Sequence, residues 1–275
     1  MIAALPMYDM PSTRAAHDRL WTCIRAELAA EGIAAPPTLC RVLSPWEGWT
    51  HPGLVLGQIC GLPLRSLLAD RLTVIGAFDY ALPDTPPGHY HSLFVSRRGA
   101  PRALDSYRNA ILAYNEALSH SGWAAAQLAA ARAGFRFTRH VETGGHLQSV
   151  QAVAAGRGDI AAVDAISWRT IRVVEPAAGA LQVIGRTASA PGQALVTRAG
   201  RDPAPFARAL VRAVEALPDA TRRVLGIAGF VPLGKADWLA VPTPPGPEAT
   251  RPLHRGPGCA LLPGRETATS GAVPP

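Results

Sequence analysis

Two serines, a histidine and a glycine are packed into the run NEALSHSGWAA, Asn115–Ala125. Ser119, His120, Ser121 and Gly122 stand just before a tryptophan and an alanine-rich stretch that reads as helix. A helix N-terminus leaves backbone N–H groups without intrahelical partners and carries about half a positive charge. Hydroxyls from Ser119 and Ser121 could join those N–H groups, and Gly122 would let the backbone approach closely. Such a seat suits phosphate, phosphonate, sulfate or carboxylate. The same residues also make an ordinary helix cap, and the local sequence leaves both readings open. A second constellation lies in ETGGHLQSVQAVAAGRGDIAAVDAISW, Glu142–Trp168. Thr143 and two glycines lead into a helix whose first turn carries His146, a possible donor to an anion. Asp164 either caps the next helix or offers its carboxylate to an amine or hydroxyl of a ligand.

Other chemistry is poorly supported. There is no G-x-S-x-G elbow, no phosphate-cradling Walker loop and no G-x-G-x-x-G. Ser149 falls in mid-helix, and Cys60 in GQICG has no local base. His89 and His91 share one face of a strand but find no third metal ligand. Cys23, Cys40, Cys60 and Cys259 match no zinc spacing. No metal and no cofactor are therefore expected.

The elements that must position these residues alternate. A strand is predicted over Ile2–Tyr8, then a helix opened by Pro11-Ser12-Thr13 and closed by Gly32. Its apolar stripe holds Ala16, Leu20, Cys23, Ile24 and Leu28. Leu39–Leu43 is predicted as a strand and LVLGQICG as a helix. Further strands are expected at Leu72–Phe78, Tyr90–Ser96, Ala110–Tyr114, Phe135–Val141, Ile160–Val163, Leu181–Gly185 and Ala194–Thr197. Helices are expected at Trp123–Ala133, Leu147–Ala155 and Ala165–Val174. Phe206, Leu210, Val214 and Leu217 share one face of a late helix. This alternation predicts an α/β fold with largely parallel sheets flanked by helices. Such sheets bind ligands beyond the carboxyl ends of their strands. Tyr8, Ser119–Gly122 and Asp164 all fall at such ends.

The 275 residues suffice for two lobes of ordinary size, and 48% hydrophobic with 17% charged residues is a globular composition. The formal charge is +7. From residue 242 onward three arginines face two glutamates, which leaves about +6 on the folded body and favours small anionic ligands at long range. The arginines are scattered without interleaved aromatics, so no nucleic-acid partner is expected. No run reaches the roughly 18 apolar residues of a membrane helix. The first residues lack the pattern of a secretory signal. A cytoplasmic location is the expectation for the chain as it stands, or a periplasmic one if its N-terminus was trimmed.

Six pieces together resemble the phosphate/phosphite/phosphonate substrate-binding proteins of ABC transporters. They are MYDMP, LVLGQICGLPL (Leu54–Leu64), YHSLFVSRR (Tyr90–Arg98), SHSGW, TGGHLQSVQAVAAGRGDIAAVDAISW and GRTASAPGQALVT (Gly185–Thr197). They stand in family order over about residues 1–240. The resemblance implies a two-lobed type II periplasmic-binding-protein-like fold, each lobe a mostly parallel sheet flanked by helices. Residues 1–88 and 192–241 would form the first lobe and 89–191 the second, with GHYHSLFVS and SAPGQALVT as the two crossover strands. Residues 242–275, rich in Pro and Gly, would be a disordered tail. By the family's pattern Ser119 and Ser121 with Gly122 hold the anion, helped by Tyr90 and His146, and His120 stands inside the same seat. Tyr8 closes the site from the first lobe, Asp164 contacts a ligand amine, and Trp46 and Gln58 line the cleft. Ile59 stands where the family usually has Thr, and His120 where many members have Thr or Ser.

The expected function is non-catalytic capture of a small anionic solute for an ABC permease, with hinge closure over the ligand. Two alternatives accompany it. One is a cytosolic lyase on the same fold, similar to chorismate dehydratases, with Asp164 as the candidate base. The other is a cytosolic ligand sensor.

Overall fold

A computed structural model describes residues 1–250 of the chain. Twelve strands form two five-stranded sheets and one small ribbon between them. In chain order they are β1 (Ile2–Ala4), β2 (Leu54–Ile59), β3 (Leu72–Asp79), β4 (His89–Tyr90), β5 (Ser92–Arg97), β6 (Ile111–Tyr114), β7 (Arg139–Glu142), β8 (Ile160–Asp164), β9 (Leu181–Arg186), β10 (Ala190–Pro191), β11 (Ala194–Arg198) and β12 (Gly229–Val231). The first sheet runs β1-β2-β11-β3-β12 and the second β7-β6-β8-β5-β9. β4 and β10 pair antiparallel, Ala190 opposite Tyr90, and carry the chain between the sheets in both directions. In the first sheet β1, β2 and β3 point one way, with β11 and β12 against them. In the second sheet only β5 opposes the other four strands.

Local chemistry explains where several elements differ from the sequence reading. LVLGQI is a strand, not a helix: all six residues are buried, as in a central strand covered on both faces. Its unbroken apolar run carries no periodicity to separate strand from helix. The predicted strand Leu39–Leu43 does not form. The Cys40 N–H reaches the Ala3 carbonyl at 2.7 Å, but Val42 is 93% exposed and the segment joins no ladder. β1 stops at Ala4, because Pro6 turns the chain into the short 3₁₀ turn Pro6–Tyr8. β12 was not anticipated. Its place depends on Gly76, whose φ is +155°; a Cβ there would run into the Val231 carbonyl and the Phe230 ring.

The first lobe buries the stripe Leu20, Trp21, Ile24 and Leu28 of helix Arg14–Ala30 against helix Pro203–Glu215, through Phe206, Leu210 and Val214. Ala165 and Ile166 of the second lobe belong to that same cluster, so the lobes touch. The second sheet has one apolar layer on each face. Trp123, Phe94 and Phe137 anchor one; Val150, Val163 and Ile171 anchor the other.

The tail expected to be disordered from residue 242 is ordered for its first nine residues. Pro242–Thr250 crosses to the second lobe, where the Trp123 indole donates to the Pro245 carbonyl at 3.0 Å. Pro247 and Thr250 are buried there. The remainder of that tail, with Cys259, lies outside the described residues.

Candidate functional site

The carboxyl ends of β1, β6 and β8 and the starts of two helices converge on a cleft of about 640 Å³ between the lobes. Tyr8, Ser119, Ser121, His146 and Asp164 line it, as the sequence predicted. So do Cys60, which the sequence had offered only as a nucleophile without a base, and Asn115, Glu116 and Gln193, which sequence reasoning did not single out. Asn115 directly follows β6, and that position at a strand end was its available signal.

The serines are unlike each other. Ser119 is a helix cap: its Oγ accepts from the Gly122 N–H at 3.0 Å. Its carbonyl takes the N–H groups of Trp123 and Ala124. The helix opens on a wide π-type turn, His120–Ala124, before the α-helix Ala125–Arg132. Most N–H groups of this end are therefore satisfied internally. Ser121 Oγ instead lies 2.8 Å from His146 Nε2 and 3.3 Å from Ser119 Oγ. Gly122 is required for a reason other than ligand approach. Its missing Cβ leaves room for the Asn115 carboxamide oxygen, with the Asn115 nitrogen only 3.3 Å from the same point.

The uncapped helix end is the second one. Helix His146–Ala154 starts behind Gly145 with no side-chain cap, and Gly144, Gly145, His146, Leu147 and Gln148 all face the cleft. Burial holds the His146 pKa down at about 4, so the ring is neutral near pH 7. One ring nitrogen meets Ser121, and the buried Nδ1 has no hydrogen-bond partner.

Asp164 serves both roles the sequence left open. Its Oδ1 accepts from the Ile166 and Ser167 N–H groups at 2.7 and 3.2 Å, a regular N-cap. Its Oδ2 faces the cleft and accepts from the Tyr8 hydroxyl at 2.9 Å and Gln193 Nε2 at 3.3 Å. Tyr8 thereby ties the first lobe to the second. Burial raises the Asp164 pKa to about 6, against the lowering pull of these hydrogen bonds. Burial and the Asp164 carboxylate together push Tyr8 well above the ordinary phenol range. Tyr90 lies on the crossover ribbon, 2% exposed, and burial raises its pKa too. Its hydroxyl meets no partner in full hydrogen-bond geometry, although Ser121 lies close enough to pull its pKa back down by hydrogen bonding. The buried Asn115 Oδ1 and Gln193 Oε1 are likewise unpartnered.

Tyr90 and Gly122 are not among the residues lining the cleft, and three further predicted residues point elsewhere. The His120 ring turns away from the cleft. Its Nδ1 lies 3.3 Å from Arg65, and burial beside that guanidinium drops its pKa to about 3. Its backbone N–H donates to Cys60 Sγ at 3.2 Å. Ser119 keeps extended backbone ahead of the turn, and the structure places Ser119 and Ser121 on the cleft and His120 at its back. Trp46 sits 42% exposed on the short helix Pro45–Thr50, edge-on to Trp49, and only its neighbour Pro45 reaches the cleft. Gln58 lines a separate chamber beyond Tyr8.

No Lys or Arg is among the described residues that line the cleft, whereas Asp9, Glu116 and Asp164 are. No described helix is long and apolar enough to cross a membrane. Among the described residues no group of three His, Cys, Asp or Glu could hold a metal.

Two lobes on a crossover ribbon, with polar strand and helix ends facing each other, define a type II periplasmic-binding-protein fold. A profile of the periplasmic phosphonate substrate-binding proteins of ABC transporters matches residues 79–238, more than half of the chain, and the chain belongs to that family. Solved structures agree on the fold. The protein XAC2383 from Xanthomonas citri, bound to chloride ion, is 19% identical with a TM-score of 0.66 over 86% of this chain and 92% of its own. PhnD1 from Prochlorococcus marinus, in complex with methylphosphonate, is 13% identical with a TM-score of 0.66 over 86% and 94%. A binding component of an ABC phosphonate transporter from Pseudomonas aeruginosa is 14% identical with a TM-score of 0.61 over 87% and 82%. No curated protein sequence matches the chain. The protein is a solute-binding component of an ABC transporter and not an enzyme.

Proposed function

We propose that the protein captures a small tetrahedral oxoanion, phosphate- or phosphonate-like, between its lobes and delivers it to an ABC permease. The carrying observation is the uncapped start of helix His146–Ala154, set beside the Ser119 and Ser121 hydroxyls on one wall of the cleft. Free helix N–H groups, hydroxyls and a neutral imidazole are donors that bind an oxoanion without a counter-charge. The unpartnered His146 Nδ1 supplies a further polar group at the first turn of that helix. PhnD1, with the same fold, is in complex with methylphosphonate.

A thermal-shift series with phosphate, methylphosphonate, sulfate and acetate tests this. Stabilisation by phosphate or methylphosphonate that is lost in Ser121→Ala is expected. A melting temperature indifferent to all four ions overturns the reading. Delivery to a permease also requires the protein to work outside the cytoplasmic membrane. Fractionation of cells carrying the native gene should recover it there, and recovery in the cytoplasm overturns that part.

A further inference from the structure

Beyond Tyr8 a second cavity, of about 230 Å³, opens between the same two lobes. Tyr8, Met10 and Ser167 line both it and the anion cleft, so the two spaces share a wall. That wall is chiefly one ring. Tyr8 is held by its hydrogen bond to Asp164 and by an edge-to-face contact with Tyr80, ring centroids 5.3 Å apart. Leu20, Phe78, Ile166, Leu225 and Ile227 give the chamber its apolar surface, and Thr13, His17, Gln58, Tyr80 and Arg169 its polar part. The five apolar residues are all buried, and Ile166 comes from the opposite lobe to the others. The far end reaches solvent at Arg223 and the 55% exposed Val224.

Nothing in oxoanion capture alone uses this space. A bare oxoanion is satisfied by the hydroxyls and helix end on the near side of Tyr8. An apolar cavity of about 150 Å³ already admits benzene, and a pocket that surrounds a ligand on most sides discriminates by what fills it. We infer that the chamber receives the organic arm of the seated anion, so that the protein selects phosphonates or phosphate monoesters carrying an aromatic or branched apolar substituent. Arm and head group would then be clasped by both lobes, and closure would bury the substituent between Ile166 on one side and Leu20 and Phe78 on the other. Tyr8 is the gate: swinging its ring away from Asp164 joins the two cavities. This inference rests on the anion reading of the cleft.

Calorimetric titration with four probes separates the possibilities: inorganic phosphate, methylphosphonate, phenylphosphonate and phenyl phosphate. Phenylphosphonate is expected to bind about tenfold or more tightly than methylphosphonate, because the ring's apolar surface leaves water only when the chamber takes it. Phenyl phosphate against phenylphosphonate then tells whether an ester or a direct carbon bond joins arm to head group. Two variants narrow the chamber without touching the anion cleft: Thr170→Phe from its half-buried helix and Val224→Trp from its exposed rim. Either should remove the preference for the phenyl ligands and leave methylphosphonate affinity within about twofold. Equal affinity for methyl- and phenylphosphonate in the unaltered protein overturns the inference while leaving the anion reading intact. Equal weakening of both ligands in both variants overturns it too. Failure of all four probes to bind overturns the anion reading itself, and the inference with it.

Discussion

Ser119 and Ser121 are two residues apart and answer to different tests. Ser119 accepts the Gly122 N–H, so Ser119→Ala should lower apo stability by about 0.5–2 kcal/mol, the usual worth of a cap, in chemical denaturation. Ser121 meets His146 instead and caps nothing. Ser121→Ala should leave the apo midpoint nearly unchanged and weaken oxoanion binding by roughly tenfold to a hundredfold, the worth of a hydrogen bond to a charged group. A Ser121→Ala protein that unfolds early yet binds normally would assign both serines to the cap. Asp164 makes a pH prediction. Its pKa is raised in the fold from an ordinary 3.8 to about 6, so folding favours the protonated form. The stability tied to this group is complete below about pH 4 and is lost as pH rises through about 6, by up to roughly 3 kcal/mol. Asp164→Asn keeps an oxygen for the Ile166 and Ser167 N–H groups and cannot ionise. It should therefore melt no lower than the parent at pH 7.5, whereas Asp164→Ala, which loses the cap, should melt lower. The carboxylate also repels an anion. Methylphosphonate affinity should fall from pH 5 to pH 7.5 in the parent, and less steeply in Asp164→Asn. Ligand ionisation is common to both proteins, so a parallel fall in the two would remove Asp164 from the account.

At the scale of elements, the turn that opens helix His120–Arg132 depends on the fit between Gly122 and Asn115. A methyl group on Gly122 would displace the buried Asn115 carboxamide oxygen. Gly122→Ala should cost about 1–3 kcal/mol, the usual range for overpacking. Asn115→Ala in the same chain should recover part of it, and a double-mutant cycle with no coupling would rule the contact out. The sequence could show that a helix begins here because serine and glycine mark such starts. It could not show the wide first turn, or that Ser121 lines the cleft while His120 meets Arg65. Helix Ala165–Val174 was legible to the residue, since Asp164 caps it and buried strand β8 runs straight into it. LVLGQI was misread because a strand buried on both faces has no alternation to display. Trp46 points away from the cleft for a different reason. Its lining role came from the family resemblance alone, and the capping box between Ser44 and Glu47 fixes the short helix on which it is exposed.

At the scale of the whole molecule, three segments join the lobes where the family resemblance implied two. β4 and β10 form the ribbon. The third is Pro242–Thr250, which leaves the first lobe after helix Lys235–Leu239. Arg65, on the first lobe, donates to the Pro242 carbonyl at 3.0 Å and the Thr243 hydroxyl at 2.9 Å, and also reaches His120 at 3.3 Å. On the second lobe Trp123 holds Pro245, and the Thr250 hydroxyl lies 3.2 Å from His140 Nε2. The strap thus runs along the back of the hinge, over a pocket of about 240 Å³ lined by His120, Leu128, Ala190 and Val241. Two connections close together leave a hinge free to open, and a third fixed at both ends restrains the angle. Removing it should widen the range of angles sampled without ligand and leave the ligand-bound form, clasped by its cleft contacts, unchanged. The comparison is between chains ending at Thr250 and at Ala240, measured by small-angle scattering with and without methylphosphonate. The shorter chain should have the larger radius of gyration when free and the same radius when bound. Arg65→Ala in the longer chain should move the free radius in the same direction by a smaller amount, since it frees one end of the strap and leaves Trp123 holding the other. Equal free radii in all three proteins would show that the ribbon alone sets the hinge.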